Sequence, residues 1–422
     1  MASVVAVLAT LDSKHEAVRF LCDALRAAGA TPWLVDLSLR PHNHSFAAIG
    51  AAEVAQASGI AWEALAKLSR ADAAQIMIKG GSALVGAEVR AGRIDGIVGL
   101  GGANGSTIFC AIMRQLPVGL PKAMVTPVAA TAAVQWYVAE SDIAMFPTIG
   151  DISLNRVTRA VIANAASAMA GMAAARRAQD AGAAAASTPQ LIGISSFGNT
   201  QPAVDRMTAR LEEKGFEVIH FHASGPGGRA LESLAARGEL AGVIDLTTSE
   251  LTDHLTGGVY SAGDTRLTAA SAAGVPQVVA PGCLDFTNWW VGDVPERYRD
   301  REFFQYNVEI LLMRTNAAEY AALGSLMGAR LAASKGPVRV LVPGGGWSQL
   351  AGRNAHDLTG RDSGPWRQLD SERVWLDTLR RHLKDEQIAE LPHHINDAAF
   401  ADACVEALVA MMPAAPDAIR SP

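Results

Sequence analysis

Residues 96–108 read GIVGLGGANGSTI. The run GIVGL has the pattern of a short buried strand. It passes straight into Gly101, Gly102, Ala103, Asn104 and Gly105, and then Ser106, Thr107 and an apolar run resume. A strand that turns into a helix through residues almost without side chains brings bare backbone N–H groups to a helix N-terminus. Such groups hold anions, most often phosphate or carboxylate.

The same alternation extends in both directions. SVVAVLAT (3–10) is a β-branched strand, 11–29 an amphipathic helix ending at a glycine, and TPWLVDLSL (31–39) a second strand. A polar excursion around RPHNHS follows, then helical patterns over 51–69 and 71–91, the strand at 96 and another at 123–129. Residues 153–178 form one long Ala-rich helix, and 178–190, AQDAGAAAASTPQ, has the composition of a linker. The pattern then restarts: strands at 191, 216, 241, 276 and 337, several of them separated by helices that end on glycine. Strands joined by crossover helices must pair in parallel. The expected fold is therefore α/β, with two doubly wound domains, mainly parallel sheets, and domains at 1–185 and 186–422.

With 422 residues, 50% of them hydrophobic, 18% charged and 39 glycines, the composition is that of a globular α/β protein rich in small residues. The net charge of −6 and the lack of a Lys/Arg run interleaved with aromatics argue against a nucleic-acid partner. The start of the chain has neither a basic n-region nor a cleavage-like site. No apolar run reaches about 18 residues without polar interruption, so a cytoplasmic protein with no membrane partner is expected. Cys22, Cys110, Cys283 and Cys404 are far apart and form no CxxC pair, which fits a reduced compartment and no zinc knuckle; no metal site is expected.

In parallel sheets ligands collect beyond the carboxyl ends of the strands. After the first strand, Thr10 and Ser13 offer hydroxyls, and Lys14 places a cation where a helix dipole disfavours it unless an anion lies nearby. With Gly101, Gly102, Asn104, Gly105, Ser106 and Thr107, these residues are the candidate phosphate cradle. A second glycine loop, 223–229, ends in Arg229. It follows a strand on which His220 and His222 share a face, leaving metal ligation and ordinary packing both open. Glu250 and His254, four apart on a helix start, suit an acid/base pair as well as a solvated helix N-terminus. Asp285, and Cys283 as a nucleophile, follow a later strand, and His393 and His394 lie in a polar turn near the C-terminus.

Several long stretches, among them TLDSKHE, FHASGPGGRALESL, GVIDLTTSEL, GGVYSAGDTRL, GVPQVVAPGCLDFTNW and HINDAAFADA, resemble the Tm-1-like ATP-binding domain family, also called UPF0261. The resemblance covers nearly the whole chain. It implies two Rossmann-like domains, self-association and, from the family's plant member, ATP binding; Mg²⁺ is expected to come with the nucleotide. Ser13 stands where that family usually has Thr, which keeps the hydroxyl. The run Pro343-Gly344-Gly345-Gly346-Trp347-Ser348 replaces a pattern that more often carries Leu and Arg before Gly-Val-Ser. The leading expectation is a small-molecule-binding protein whose ligand is a nucleotide or an anionic metabolite. The alternative is an enzyme acting by acid/base catalysis on a small carboxylate or phosphorylated metabolite in an interdomain cleft, through Glu250, His254, His222 and Asp285. A third reading is a homo-oligomeric scaffold that packs through Ala163, Ser167 and Gly171 of the long helix.

Overall fold

In the computed structural model, which describes residues 2–182 and 189–413, the strand that begins at Gly96 is the middle one of a five-stranded sheet. Its strands are β1 (Val4–Ala9), β2 (Thr31–Asp36), β3 (Gly96–Leu100), β4 (Lys122–Thr126) and β5 (Ile143–Pro147). Their order is β2-β1-β3-β4-β5, with every pairing parallel. The order reverses between β1 and β3, which places a topological switch point at the carboxyl ends of those two strands.

Alternation along β1 assigns its side chains to two cores. Ala6 and Leu8 face a cluster with Met77, Ile108 and Phe109 from the helices Arg70–Arg90 and Ala103–Met113. Val5 and Val7 face Val18, Leu21, Ile162 and Met169 from the helices Leu11–Ala27 and Arg156–Gly182. Covered on both faces, β3 and β4 have no exposed position and carry the near-continuous apolar run expected of buried parallel strands. The expected helix over 51–69 breaks into Ala51–Ala57 and Trp62–Leu65, because Gly59 adopts φ +91 between them. In the long helix Asn155 caps the start by accepting from Val157 and Thr158, and Ala163 is half-buried while Ser167 and Gly171 face outward, opposite the core side.

The chain divides into two units, Met1–Ser187 and Thr188–Pro422, and the expected join at 185/186 lies outside the described residues. The second unit contains β6 (Leu191–Ser196), β7 (Glu217–His222), β8 (Gly242–Thr247), β9 (Gln277–Gly282), β10 (Phe286–Trp290), β11 (Phe303–Gln305), β12 (Ile310–Arg314), β13 (Val338–Pro343), β14 (Asn354–His356), β15 (Asp362–Pro365) and β16 (Ile388–Leu391). Six of these form a parallel sheet in the order β7-β6-β8-β9-β13-β16, again reversing next to its first strand. One face packs on Val204, Met207, Phe400 and Val405, and the other on Leu231, Leu323 and Trp375.

The remaining five strands make an antiparallel sheet, β10-β12-β11-β14-β15, inserted after β9 and again after β13. The α/β expectation thus holds for both units, and this insertion is an addition to it. Among the described residues no helix is long and apolar enough to cross a membrane.

Candidate functional site

The switch point of the first unit opens into a cavity of about 430 Å³, walled by the loops that follow β1, β2 and β3. Asp36, the last residue of β2 and only 2% exposed, ties these loops together. Its Oδ1 accepts from the Leu11 amide at 3.2 Å, the Ser38 amide at 3.0 Å and the Ser38 hydroxyl at 2.5 Å. Ser38 Oγ in turn accepts the Asp12 amide at 3.0 Å, and Lys14 N donates to the Thr10 carbonyl at 3.1 Å. Three of the first helix's four leading amides, those of Leu11, Asp12 and Lys14, are therefore occupied by the protein, so the loop after β1 offers the cavity mainly side chains.

Beyond Ser38 the chain is held by imidazoles. His42 Nε2 lies 2.7 Å from Asp36 Oδ2, and His42 Nδ1 accepts the His44 amide at 3.1 Å. The His44 ring stacks on His15 with centroids 3.8 Å apart. Desolvation, then the neighbouring His15 and His42, hold His44 below the usual imidazole range.

The glycine loop is arranged differently. Gly101 N–H is used by the sheet, donating to the Val125 carbonyl at 3.2 Å, and Ser106 N–H makes the first helical bond to the Gly102 carbonyl at 2.8 Å. Between them, the amides of Ala103, Asn104 and Gly105 make no hydrogen bond to protein among the described residues. The residue in the N-cap position, Gly102, has no side chain to cap them. A Cβ on Gly102 would meet nothing within 4 Å, whereas one on Gly105 would lie 3.0 Å from the Phe109 ring. Gly105 thus serves close packing and Gly102 keeps the approach to the amides open.

The structure brings Thr10, Ser13, Lys14, Gly102, Asn104 and Gly105 together around this cavity. Gly101, Ser106 and Thr107 stay outside its lining. The fully buried Ser106 hydroxyl donates to Thr126 Oγ1 at 2.9 Å, and Thr107 Oγ1 bonds back to the Ala103 carbonyl at 3.1 Å, so both hydroxyls serve the helix and sheet. Lys14 lines the cavity but also donates to the Ile152 carbonyl at 3.1 Å, with Asp151 at 3.6 Å.

Sequence reasoning missed two cations. Arg40, from the excursion after β2, and Arg70, the first residue of its helix, both line the cavity, and among the described residues neither side chain has an ion pair or hydrogen bond. Against Lys14, Arg40 and Arg70 stands one lining carboxylate, Asp12. The result is a positive recess, with three unused amides at its base, in a chain of net charge −6.

The candidates in the second unit are placed differently from expectation. Glu250 is fully buried and does not pair with His254. Its Oε1 accepts the amides of Gly225 at 2.7 Å and Gly228 at 3.0 Å, and its Oε2 accepts from Arg266 Nε at 2.6 Å. Arg266, also fully buried, reaches Asp245 at 2.5 and 2.6 Å and Glu232 at 3.3 Å. Burial raises the Glu250 carboxyl against the pull of Arg266. The second glycine loop therefore does cradle a carboxyl group, one supplied by the protein. A general base must reach the proton it takes from substrate, and the Glu250 carboxyl is fully buried with both oxygens bonded to the protein.

His254 bonds to Ser261 Oγ at 3.2 Å and lies 3.1 Å from Asp264. His222 stacks on Phe197 at 5.0 Å, and desolvation lowers its pKa. His220 meets Thr208 Oγ1 at 2.7 Å, and no cluster of metal-ligating side chains occurs among the described residues. The Gly344 and Gly345 amides are taken by the Leu391 and His393 carbonyls, and His394 Nε2 lies 2.9 Å from the Ser348 carbonyl. Buried Cys283, at φ +59, has its thiol pushed well up by desolvation, which disfavours the thiolate a nucleophile needs. Asp285 is raised to about 6 by burial; its Oδ2 accepts from Ser348 and Trp366, while its buried Oδ1 has no partner.

Comparison with known proteins agrees with this division of the chain. Residues 3–178 match the N-terminal domain, and 189–412 the C-terminal domain, of the uncharacterised protein family UPF0261. A UPF0261 protein of Clostridium tetani (strain Massachusetts / E88) is 36% identical over 417 residues, 96% of this chain and 98% of that protein. One of Rhizobium meliloti (strain 1021) is 38% identical over 406 residues, 95% and 97% of the two chains. The ToMV resistance protein Tm-1(GCR237) of Solanum lycopersicum is 32% identical over 320 residues, 75% of this chain but 42% of the plant protein.

Proposed function

The chain belongs to the UPF0261 family, and from that premise we propose that it is a cytoplasmic nucleotide-binding protein that holds the phosphates of ATP at the switch point of its first unit. The observation that carries the reading is the set of unused amides on Ala103, Asn104 and Gly105, opening on a recess lined by Lys14, Arg40 and Arg70. Backbone N–H groups at a helix N-terminus and nearby cations complement a polyphosphate. The donor set fits such a group. Thr10 and Ser13 add hydroxyls, and the carboxylate of Asp12 is a hard oxygen ligand for Mg²⁺ arriving with the nucleotide.

Calorimetric titration with ATP and Mg²⁺ tests the assignment. The wild-type chain binds; Gly102→Val fills the approach to the amides and abolishes binding with the fold intact; Lys14→Ala weakens it about tenfold, or about 1.4 kcal/mol. Unchanged affinity in both variants removes the site. The outward residues Ser167 and Gly171 supply the surface for self-association, which light scattering measures directly.

A second reading is supported by Asp285 alone among the expected acid/base groups, through its unpartnered Oδ1 and raised pKa of about 6. In that reading the second unit acts on a small carboxylate or phosphorylated metabolite. Thermal-shift screening separates the two, because a ligand stabilises by mass action. Shifts with nucleotides only would remove the enzyme.

A further inference from the structure

The antiparallel sheet carries apolar side chains on both faces, and the face of Phe303 and Leu311 is covered only in part. Along β12, Ile310 and Leu312 point into a core with Phe286, Ala355 and Trp366, while Leu311 and Met313 point the other way, towards Trp289 and Phe303. The second face is covered in part by Val294 and Tyr298 from the segment after β10. Where that cover ends lies a cavity of about 480 Å³, floored by Phe303 and Leu311. Val291 and Leu358 stand at its walls, 46% and 44% exposed. A cavity of this size falls in the range of small-molecule sites, which are apolar recesses with a few convergent polar groups.

Those polar groups are the side chains of Arg299, Gln305, His356 and Asp357. Arg299 lines the cavity, and its ion pair with Glu296 at 2.9 Å is of little energetic weight, because the two side chains are 60% and 84% exposed. His356, opposite Phe303 in the sheet, also lines it, and its Nδ1 is buried with no hydrogen-bond partner. The lining acid, Asp357, is engaged through one oxygen, Oδ1, alone. Asp357 accepts from Thr359 N and Oγ1 at 2.8 and 2.6 Å and from Arg361 N at 3.0 Å, and these bonds hold its carboxyl below the usual range. Gln305 Nε2 is taken by the Asn307 carbonyl at 3.2 Å, so the side-chain donors that the cavity has to offer are a guanidinium and an imidazole nitrogen, set against an apolar floor.

We propose that this cavity binds a small amphipathic carboxylate, its apolar body on Phe303 and Leu311 and its head group at Arg299 and His356. The site is separate from the anion recess of the first unit, and its ligand differs from a nucleotide in needing an apolar body. Arg299 supplies a fork that matches a carboxylate, and His356 a second polar contact.

Octanoate and octan-1-ol are the probes, titrated by calorimetry into the full-length protein and into Arg299→Gln and Leu358→Glu. Both substitutions are at exposed positions, and unchanged circular dichroism verifies the fold. The expected result is saturable octanoate binding, weakened about tenfold by Arg299→Gln and abolished by Leu358→Glu, with octanol unaffected by Arg299→Gln. Absence of octanoate binding overturns the proposal, as does equal affinity in all three proteins. A dimer in sedimentation that Leu358→Glu dissociates also overturns it, because the occupant is then a second copy of the chain.

Discussion

Glu250 accepts the amide proton of Gly225 at 2.7 Å, so one glycine loop that follows a parallel strand, 223–229, is closed by the protein's own carboxyl. Another, after β3, keeps its amides open. The two loops look alike as strings of small residues, and they differ in whether a side chain from elsewhere in the fold reaches them.

Glu250→Ala removes one partner from the fully buried Arg266 and leaves the Gly225 and Gly228 amides unbonded. Breaking a buried charge pair on one side costs about 3–5 kcal/mol. Urea unfolding is expected to show that loss. A variant as stable as the parent would mean that this cluster is not what fastens the loop.

Stability is also expected to depend on pH through Asp253. Burial raises its carboxyl to about 7, and Asp285 follows at about 6. An unfolded Asp titrates near 3.9, so between about pH 4 and 7 the folded chain holds protons that the unfolded chain has released. Their contribution is complete below about pH 4 and is lost as pH rises through 6 and 7. Asn288 Nδ2 donates to Asp253 at 2.9 Å while its own buried Oδ1 has no partner, and a flipped amide would accept the Asp253 proton. Asp253→Asn is expected to flatten the decline by about 1 kcal/mol per pH unit between pH 5 and 6.5. Parallel curves for the two proteins would refute it.

The parallel sheets were legible because each buried strand runs into a glycine or hydroxyl loop and then a helix, as at 96–108 and 191–201. The antiparallel insertion was not. Its strands are as short as Phe303–Gln305 and Asn354–His356, and they pair across long sequence gaps that no local period records. The cradle was read from the residues flanking β1 and β3, which are adjacent in the sheet, while Arg40 and Arg70 come from other loops and only the fold brings them in. Glu250 and His254 have the spacing of a helical pair, but tertiary partners won: Arg266 for the acid, Ser261 and Asp264 for the imidazole.

Arg40 and Arg70 are expected to act on the anion through charge alone. Arg40→Ala and Arg70→Ala each weaken ATP binding about fivefold at low salt, and the difference shrinks as ionic strength rises and screens exposed charges. Calorimetry at two salt concentrations measures this. Affinities that ignore both arginines at low salt would exclude them from the recess.

All four cysteines are buried, and desolvation raises Cys22 and Cys110 to about 11. Native protein at pH 7.5 is therefore expected to resist iodoacetamide at every thiol, with all four modified after denaturation. Rapid labelling of Cys283 in the native state would restore it as a candidate nucleophile.

The central claim concerns three backbone groups, and their resonances report on them directly. In a ¹⁵N-resolved amide spectrum, adding ATP and Mg²⁺ is predicted to shift the Ala103, Asn104 and Gly105 signals downfield in a saturable way, leaving Gly225 and Gly228 in place. ATP that binds while those three signals stay still, or that shows no binding at all, would contradict the account.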